Sequence, residues 1–461
     1  MSAILLIAVP LLTAFISILM KKVSPYLLLL VSLFTLVAIY FIEPGQVIIG
    51  GFMPPFGITL EVNTFTLTSL YAVNGLFFLV VAVNIAKYKK LSSILLVALA
   101  GLNGLLLTGD LFNLFVFIEI SGIAAYLITT TNKKPLQTFN YLVAGTVGSI
   151  LYLLGLIILY NMAGTLNMAD MATFVQANGA YTLFPFLLMF IGLGVEAKLL
   201  PFNSWVKGIL GHSNNLSGAM IASVYATAIG LVFGKLLANV FVIDGTLAVI
   251  VALVLGLTIL AGEAMAYAST KAREILLYSS IAQAGIVILL FTVGLGNWAT
   301  MFAIANGVSK FILFGVVNRL TEEVGNDEMD QLKGSFVNNK LIGVSFTVAA
   351  LSILGLPLFF GFVVKMKSLT GFFHPAFVSN LPGGNFIFPI IILVASVIEG
   401  VYFVKLLTKL WYKESTVKVN FTPLFKYVVA VLALALIVFG LFNGEVEAIA
   451  ETLKSIVGGV L

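Results

Sequence analysis

Apolar runs of membrane-crossing length, separated by short polar loops, recur from one end of the chain to the other. A helix needs ~20 apolar residues to cross the hydrocarbon. By that yardstick the pattern predicts about fourteen spans, at 3–20, 26–42, 65–86, 92–108, 110–130, 137–162, 183–206, 216–239, 246–267, 274–294, 297–320, 341–373, 386–411 and 424–443. No basic stretch precedes residues 3–20, so they read as a first span rather than a cleavable signal. Two later spans are interrupted: Pro201 sits in the seventh, and Pro357 and Gly361 in the twelfth. Proline removes an intrahelical donor and kinks or breaks a helix, so both spans are predicted to be discontinuous. Broken membrane helices are tolerated where the freed backbone lines a polar or hydrated cavity.

Composition sharpens the class. Of 461 residues, 61% are hydrophobic and 9% are charged, and the mean hydropathy is +1.13. A soluble domain carries roughly 25% charged residues. The expected fold is an all-α polytopic membrane protein. The absence of cysteine excludes disulfides, thiolate metal sites, iron–sulfur clusters and cysteine nucleophiles in this chain. His212 and His374 are the only imidazoles, which argues against a haem or a histidine-rich metal site, and no cofactor is expected.

The loops segregate by charge. One alternating set holds Lys21/Lys22, Lys87/Lys89/Lys90, Lys133/Lys134, Lys207, Lys271/Arg273, Arg319/Lys333/Lys340 and Lys409/Lys413/Lys418. The other holds Glu43/Glu61, Asp110, Asp170, Asp244 and the tail residues Glu445/Glu447/Glu451, with Lys454 as the exception. The positive-inside rule then places the basic loops in the cytoplasm and both termini outside a cell membrane. The net charge of +5 is thus a topology signal, and its dispersal over short loops does not suggest nucleic-acid binding. The longest polar stretch, 319–340, reads as a cytoplasmic connector carrying a short surface helix.

Five charges fall well inside the spans: Glu119, Lys198, Lys310, Lys365 and Glu399. Each costs ~3 kcal/mol at mid-bilayer on insertion scales, so each requires a partner or a function. Opposite charges, one per span, suit facing partners in a bundle interior, and such a pair can also simply tie spans together. Lys198 and Lys365 both lie beside a break, in spans five apart. Inverted repeats produce that pattern. The implied organisation is three N-terminal spans (1–91), a first repeat at 92–240, a second within 241–411, and a last span with its tail at 412–461. A carboxylate touching a buried lysine holds a proton on it, and separation frees that proton. At 4 Å and an effective dielectric of about 20, the pair interacts by ~4 kcal/mol before desolvation. A Glu119–Lys198 contact is therefore expected to gate a proton that Lys310 and Lys365 relay. Lys235, Lys367 and Lys405 lie nearer span ends, where snorkelling accounts for them. Glu196 lies two residues from Lys198, roughly 200° around a regular helix, and faces elsewhere unless the break redirects it. Glu263 and His212 read as groups near the cytoplasmic ends, either candidates for proton access or relay or plain interfacial residues.

Glu119, Lys198 and Lys365 sit in TGDLFNLFVFIEISGIAAYLI (108–128), KLLPFNSWV (198–206) and SILGLPLFFGFVVK (352–365), and the chain also carries GTLNMADMA (164–172) and AREILLYSSIAQAG (272–285). The combination resembles the antiporter-like large subunit shared by Mrp-type cation/proton antiporters, complex I and membrane-bound hydrogenases, most of all the Mrp D-type subunit. The resemblance covers about 65 to 411. It implies fourteen spans with two inverted five-helix repeats and breaks in helices 7 and 12. By it, Glu119 matches the family's span-five glutamate, Lys198 the lysine of broken span seven, Lys310 the lysine of a span-eleven HxxxK-like motif, and Lys365 the exit group of broken span twelve. Three positions depart from the family pattern. Asn306 replaces the HxxxK histidine, Asn140 before Tyr141 replaces a span-six lysine, and IASVYATAIGLVFG (221–234) lacks the central span-eight lysine, leaving Ala228 and Ile229 in its place. A relay past that gap would need water, Ser223, Tyr225 or Thr227, with Glu399 as a local compensation.

The resemblance implies a subunit that moves H⁺, with Na⁺ as a second candidate, beside homologous antiporter-like and small membrane subunits. The drive would be an ion gradient, or a peripheral iron–sulfur module linked to ferredoxin, hydrogen, sulfur or NADH. The competing readings are a scaffold with an inactive ion path and a stand-alone solute transporter. The lysine series argues against the transporter.

Overall fold

The computed structural model describes residues 1–87, 89–241, 243–374, 384–414 and 419–457. Lys418 of the basic loop set lies outside the described residues. Among the described residues, eleven helices are long and apolar enough to cross a membrane, and the shorter apolar helices Leu5–Leu19, Tyr181–Glu196 and Lys340–Leu354 occupy the remaining expected positions. The chain is a multi-pass helical membrane protein. It divides into two compact units, Met1–Lys198 with Ala228–Ile243, and Leu199–Thr227 with Asp244–Leu461.

The first unit begins with α1 (Leu5–Leu19) and α2 (Ser24–Ala38). A hairpin of β1 (Gly45–Ile48) and β2 (Thr59–Val62) follows, paired antiparallel with Gly45 opposite Val62. Then come α3 (Thr64–Asn84), α4 (Ser92–Leu107), α5 (Leu111–Thr129), α6 (Pro135–Ala163), a short α7 (Met168–Ala177) and α8 (Gly179–Glu196). The loops that carry the acidic residues meet at one end of this unit. Leu60 bridges Thr108, Asp110 bridges Asn167, and Asn167 Nδ2 donates to Thr59 Oγ1 at 3.1 Å. Asp110 caps α5 by accepting from the Asn113 amide at 2.7 Å. Burial raises its carboxyl above the usual range, against the pull of that hydrogen bond.

Lys235 belongs to the same end, and it does not snorkel. It lies on α11 (Ala226–Asn239) and is 3% exposed. Its Nζ donates to Thr108 O at 2.6 Å and Leu106 O at 3.4 Å, and lies 3.6 Å from Glu61 Oε2. The ammonium thus satisfies carbonyls left open where α4 ends, a role that position along the chain does not disclose. Lys235→Met should cost about 2–3 kcal/mol by leaving these acceptors dry and unpaired. A thermal melt in detergent that matched the parent would overturn that reading.

The second unit holds α9 (Ser204–Leu210), α10 (Asn215–Ala219), a π-helical turn over Met220–Tyr225, α12 (Gly245–Ala268), α13 (Ala272–Thr292), α14 (Gly296–Val324), α15 (Lys340–Leu354), α16 (Phe360–Phe372), α17 (Gly384–Leu410), α18 (Pro423–Leu441) and α19 (Asn443–Val457). Burial ranks them: α14 is 89% buried over its apolar window, whereas α18 is 22% buried. α14 is accordingly the central post, and most of α18's surface lies outside the packed bundle. Residues 325–339 form turns and bridges with no surface helix. They are pinned by Ala272 N to Asp327 O at 2.8 Å and by Phe336 N to Leu410 O at 3.1 Å. The hydrogen bond and charge of Lys409 hold the Asp330 carboxyl there below its usual range.

α7 and α19, absent from the expected elements, are short and one-sided. α19 buries Val446, Ala450, Leu453 and Val457 on one stripe. Its Glu447 pairs with Lys367 at 3.0 Å; Lys367 is half-exposed in the middle of α16, and Lys405 is exposed.

Candidate functional site

The interruption of the twelfth span is built by three residues. Gly355 (φ 79°) closes α15, Pro357 supplies no N–H, and Leu358 stands in the left-handed region at φ 82°. In a continuous helix the carbonyl of Ile353 would bond the amide of residue 357, which is proline, and that of Leu354 the amide of Leu358. Lys365, in the second turn of α16, takes both instead. Its Nζ lies 3.1 Å from Ile353 O, 3.1 Å from Leu354 O and 3.0 Å from Ser396 Oγ. Glu399 Oε2 lies 3.2 Å away, forming a buried ion pair.

Glu399 passes the network on. Its Oε1 accepts from Gln283 Nε2 at 2.7 Å, and Gln283 Oε1 accepts from Asn306 Nδ2 at 3.3 Å. Asn306 stands one helical turn before Lys310 on α14. Lys310 is 6% exposed and close enough to Glu399 for its charge to be felt. A polar string therefore runs from α16 through α17 and α13 to α14, inside the membrane-embedded core. Beside it, Asn306, Ser309 and Ser352 line a seam too narrow for water, and Ser309 Oγ has no partner among the described residues.

Glu263 joins this cluster. It is fully buried on α12, and neither carboxylate oxygen has a hydrogen-bond partner among the described residues. The charges of Glu399 and Lys365 reach it, as does the phenol of Tyr402. Glu263 lies five residues before α12 ends, as its place in the span implies, and the helix face that carries it turns inward. His212 is exposed, with Nδ1 3.2 Å from Gly208 O. Ser223, in the π-helical turn, donates to Gly307 O at 2.7 Å, one residue beyond Asn306. Tyr225 and Thr227 are buried, as are Ala228 and Ile229 in the lysine gap.

In the first unit, Lys198 is 1% exposed and holds a left-handed backbone at φ 66°, two residues after α8 ends. Such a backbone costs a non-glycine residue about 1–3 kcal/mol and is held only where its surroundings impose it. Glu119 is half-buried on α5, and its charge reaches a second carboxylate, Glu196. Glu196 accepts from Tyr126 at 3.4 Å and from Tyr141 at 3.3 Å. The two rings meet edge to face at 4.6 Å. Gly145 makes the room, since a Cβ there would lie 1.8 Å from the Tyr126 hydroxyl and 2.8 Å from Glu196 Oε1. The first unit thus gathers Glu119, Glu196 and two phenols across α5, α6 and α8.

Glu196, Tyr126, Tyr141, Gln283, Ser396 and Tyr402 were not among the residues predicted to form the site. Gln283 had a usable signal: an amide inside an apolar span needs a partner. The tyrosines had none, because their aromatic bodies are unremarkable in lipid-facing sequence.

Over residues 108–379 the chain matches the family described as NADH:quinone oxidoreductase/Mrp antiporter, TM. It is 30% identical to NADH-quinone oxidoreductase subunit N of Desulforudis audaxviator over 80% of this chain and 76% of that one. It is 27% identical to the D-type subunit of the Na(+)/H(+) antiporter of Bacillus subtilis over 76% and 72%. A chain of the membrane-bound sulfane sulfur reductase, an archaeal respiratory membrane complex, superposes with a TM-score of 0.89 at 26% identity, covering 99% of this chain and 98% of that one. The fold and its buried polar string define a polytopic membrane subunit of the antiporter-like class. The chain belongs to the NADH:quinone oxidoreductase/Mrp antiporter transmembrane family.

Proposed function

We propose that this chain carries protons across the cell membrane as the antiporter-like subunit of a multi-subunit complex. The relay groups are Glu119, Lys198, Lys310, Lys365 and Glu399, with Glu119 setting the charge state of Lys198. The observation that carries the reading is the buried string Lys365–Glu399–Gln283–Asn306, with Lys310 one turn on. Buried ionisable groups joined by amides and hydroxyls, and kept from bulk water, are what proton relays in membranes are made of. Glu263 belongs to the same relay as a carboxyl that can hold a proton, and Ser223, Tyr225 and Thr227 offer hydroxyls where a lysine is missing. His212 is a surface access group.

The partners are other membrane subunits, antiporter-like and small, since the relatives are named as subunits of larger assemblies. The drive is an ion gradient in an Mrp-type assembly or a peripheral iron–sulfur redox module. H⁺ is the ion moved, with Na⁺ as counter-ion in the first case. Repeats at 92–240 and 246–411 are supported by two breaks that share a left-handed residue, a proline and a buried lysine. The gathering of the acidic loops at one end of the first unit supports outward termini.

A scaffold role is the second reading, favoured by the buried, wholly apolar Ala228 and Ile229 in the lysine gap. Proton flux into liposomes holding the intact complex separates the two. Lys310→Ala and Glu119→Gln should each lower flux at least about tenfold, since a positioned proton-transfer group contributes ~10²–10⁴-fold. Unchanged flux in both leaves the scaffold.

A further inference from the structure

The first unit carries an unassigned cationic pocket at its basic end. It has a volume of about 530 Å³ and is lined by Ser17, Lys21, Ser24, Lys89, Lys90 and Ser93. The loops that reach it, 20–23 and 85–91, contain five lysines and no aspartate or glutamate. The second unit treats its basic end differently, pairing Lys207 with Glu274, Lys271 with Asp327 and Lys409 with Asp330. α2 and α4 both start at the pocket.

Directly below lies an apolar groove of about 210 Å³ that shares Ile18 and Ser93 with the pocket. Ala14, Phe15, Val97, Ile123 and Leu127 form its walls. Phe15 is 70% exposed and Ile123 52%, so the groove opens toward the membrane. Where the two meet, Ser17 and Ser93 share a hydrogen bond at 2.6 Å. A cationic chamber at headgroup depth, continuous with an open apolar channel along the helices, matches one class of ligand in both halves.

We infer that this site binds one anionic phospholipid, its phosphate among Lys21, Lys89 and Lys90 and an acyl chain along α1, α4 and α5. Basic pockets between membrane helices recognise anionic headgroups in this way. An acidic segment of a partner protein would satisfy the lysines and leave the groove unused, so the lipid accounts for more of the surface.

Native mass spectrometry of the full chain, released from maltoside micelles doped with phosphatidylglycerol or phosphatidylcholine, tests this. One phosphatidylglycerol should be retained over phosphatidylcholine by about tenfold, and K21Q/K89Q/K90Q should level the two. Val97→Trp, which fills the groove, should reduce retention of both lipids, with helix content by circular dichroism as the control on folding. Millimolar inorganic phosphate should not displace the lipid, because it lacks the chain. Equal retention in the parent, a preference surviving the triple substitution, or displacement by phosphate would each overturn the inference. So would loss of a partner protein from the lysine variant of the whole complex with its co-purifying lipid phosphorus unchanged.

Discussion

Glu399→Leu should destabilise the protein by about 3–5 kcal/mol and abolish proton transport by the assembled complex. The magnitude follows from what stays behind. Lys365 and Glu399 have side chains 7% and 1% exposed, so deleting the carboxylate strands an ammonium among neutral acceptors. Ile353 O, Leu354 O and Ser396 Oγ still hold it, which places the cost toward the lower end of that range. Gln283 Nε2 also loses its acceptor. Replacing both charges, K365M/E399L, should recover most of the lost stability, because a buried pair seldom outperforms apolar side chains of similar size. It should not recover transport. Thermal melts and liposome flux on the parent, both single variants and the double variant separate the two effects. Transport in the double variant would remove this string from the proton path.

Gly361→Ala should be nearly as damaging, although it adds one methyl group. Its Cβ would lie 1.8 Å from Ser352 O and 2.7 Å from Ser352 C, both backbone atoms. No side chain can turn aside to relieve that overlap, so α16 must move away from the end of α15. That movement draws Lys365 off the two carbonyls it satisfies. Overpacking typically costs ~1–3 kcal/mol, and a clash between backbones belongs at the top of that range or above it. Gly75→Ala is the matched control. Nothing lies within 4 Å of its added Cβ, inside the regular helix α3. There the substitution should be neutral or stabilising by up to ~1 kcal/mol, through helix propensity alone. Equal melting temperatures for the two variants would refute the close approach at Gly361.

The number of spans, the two breaks and the separation of basic from acidic loops were all legible in the residues. Each is a property of a local window: about twenty apolar residues, a proline, or the charge of a short loop. The buried lysines and carboxylates were also visible as isolated charges in apolar runs. What they touch was not. Lys235 looked like a snorkelling residue because depth along a helix is readable, while the direction it faces depends on the neighbouring helices. Glu196 was set aside on regular helix geometry, yet it accepts from two tyrosines, on α5 and α6, brought to it by packing.

The short helices α7 and α19 escaped notice because each rests one stripe on the bundle and offers no continuous apolar run. Residue order alone establishes that this chain crosses the membrane many times, where two of its helices break, and which charges lie within. It takes the packed bundle to show that Lys365 serves the carbonyls freed by Pro357 and Leu358, and that Glu399 rather than a nearer residue is its counter-ion. Crossing the bilayer is settled helix by helix through transfer of side chains from water. Pairing is settled by which faces meet, and that geometry exists only once the helices have packed.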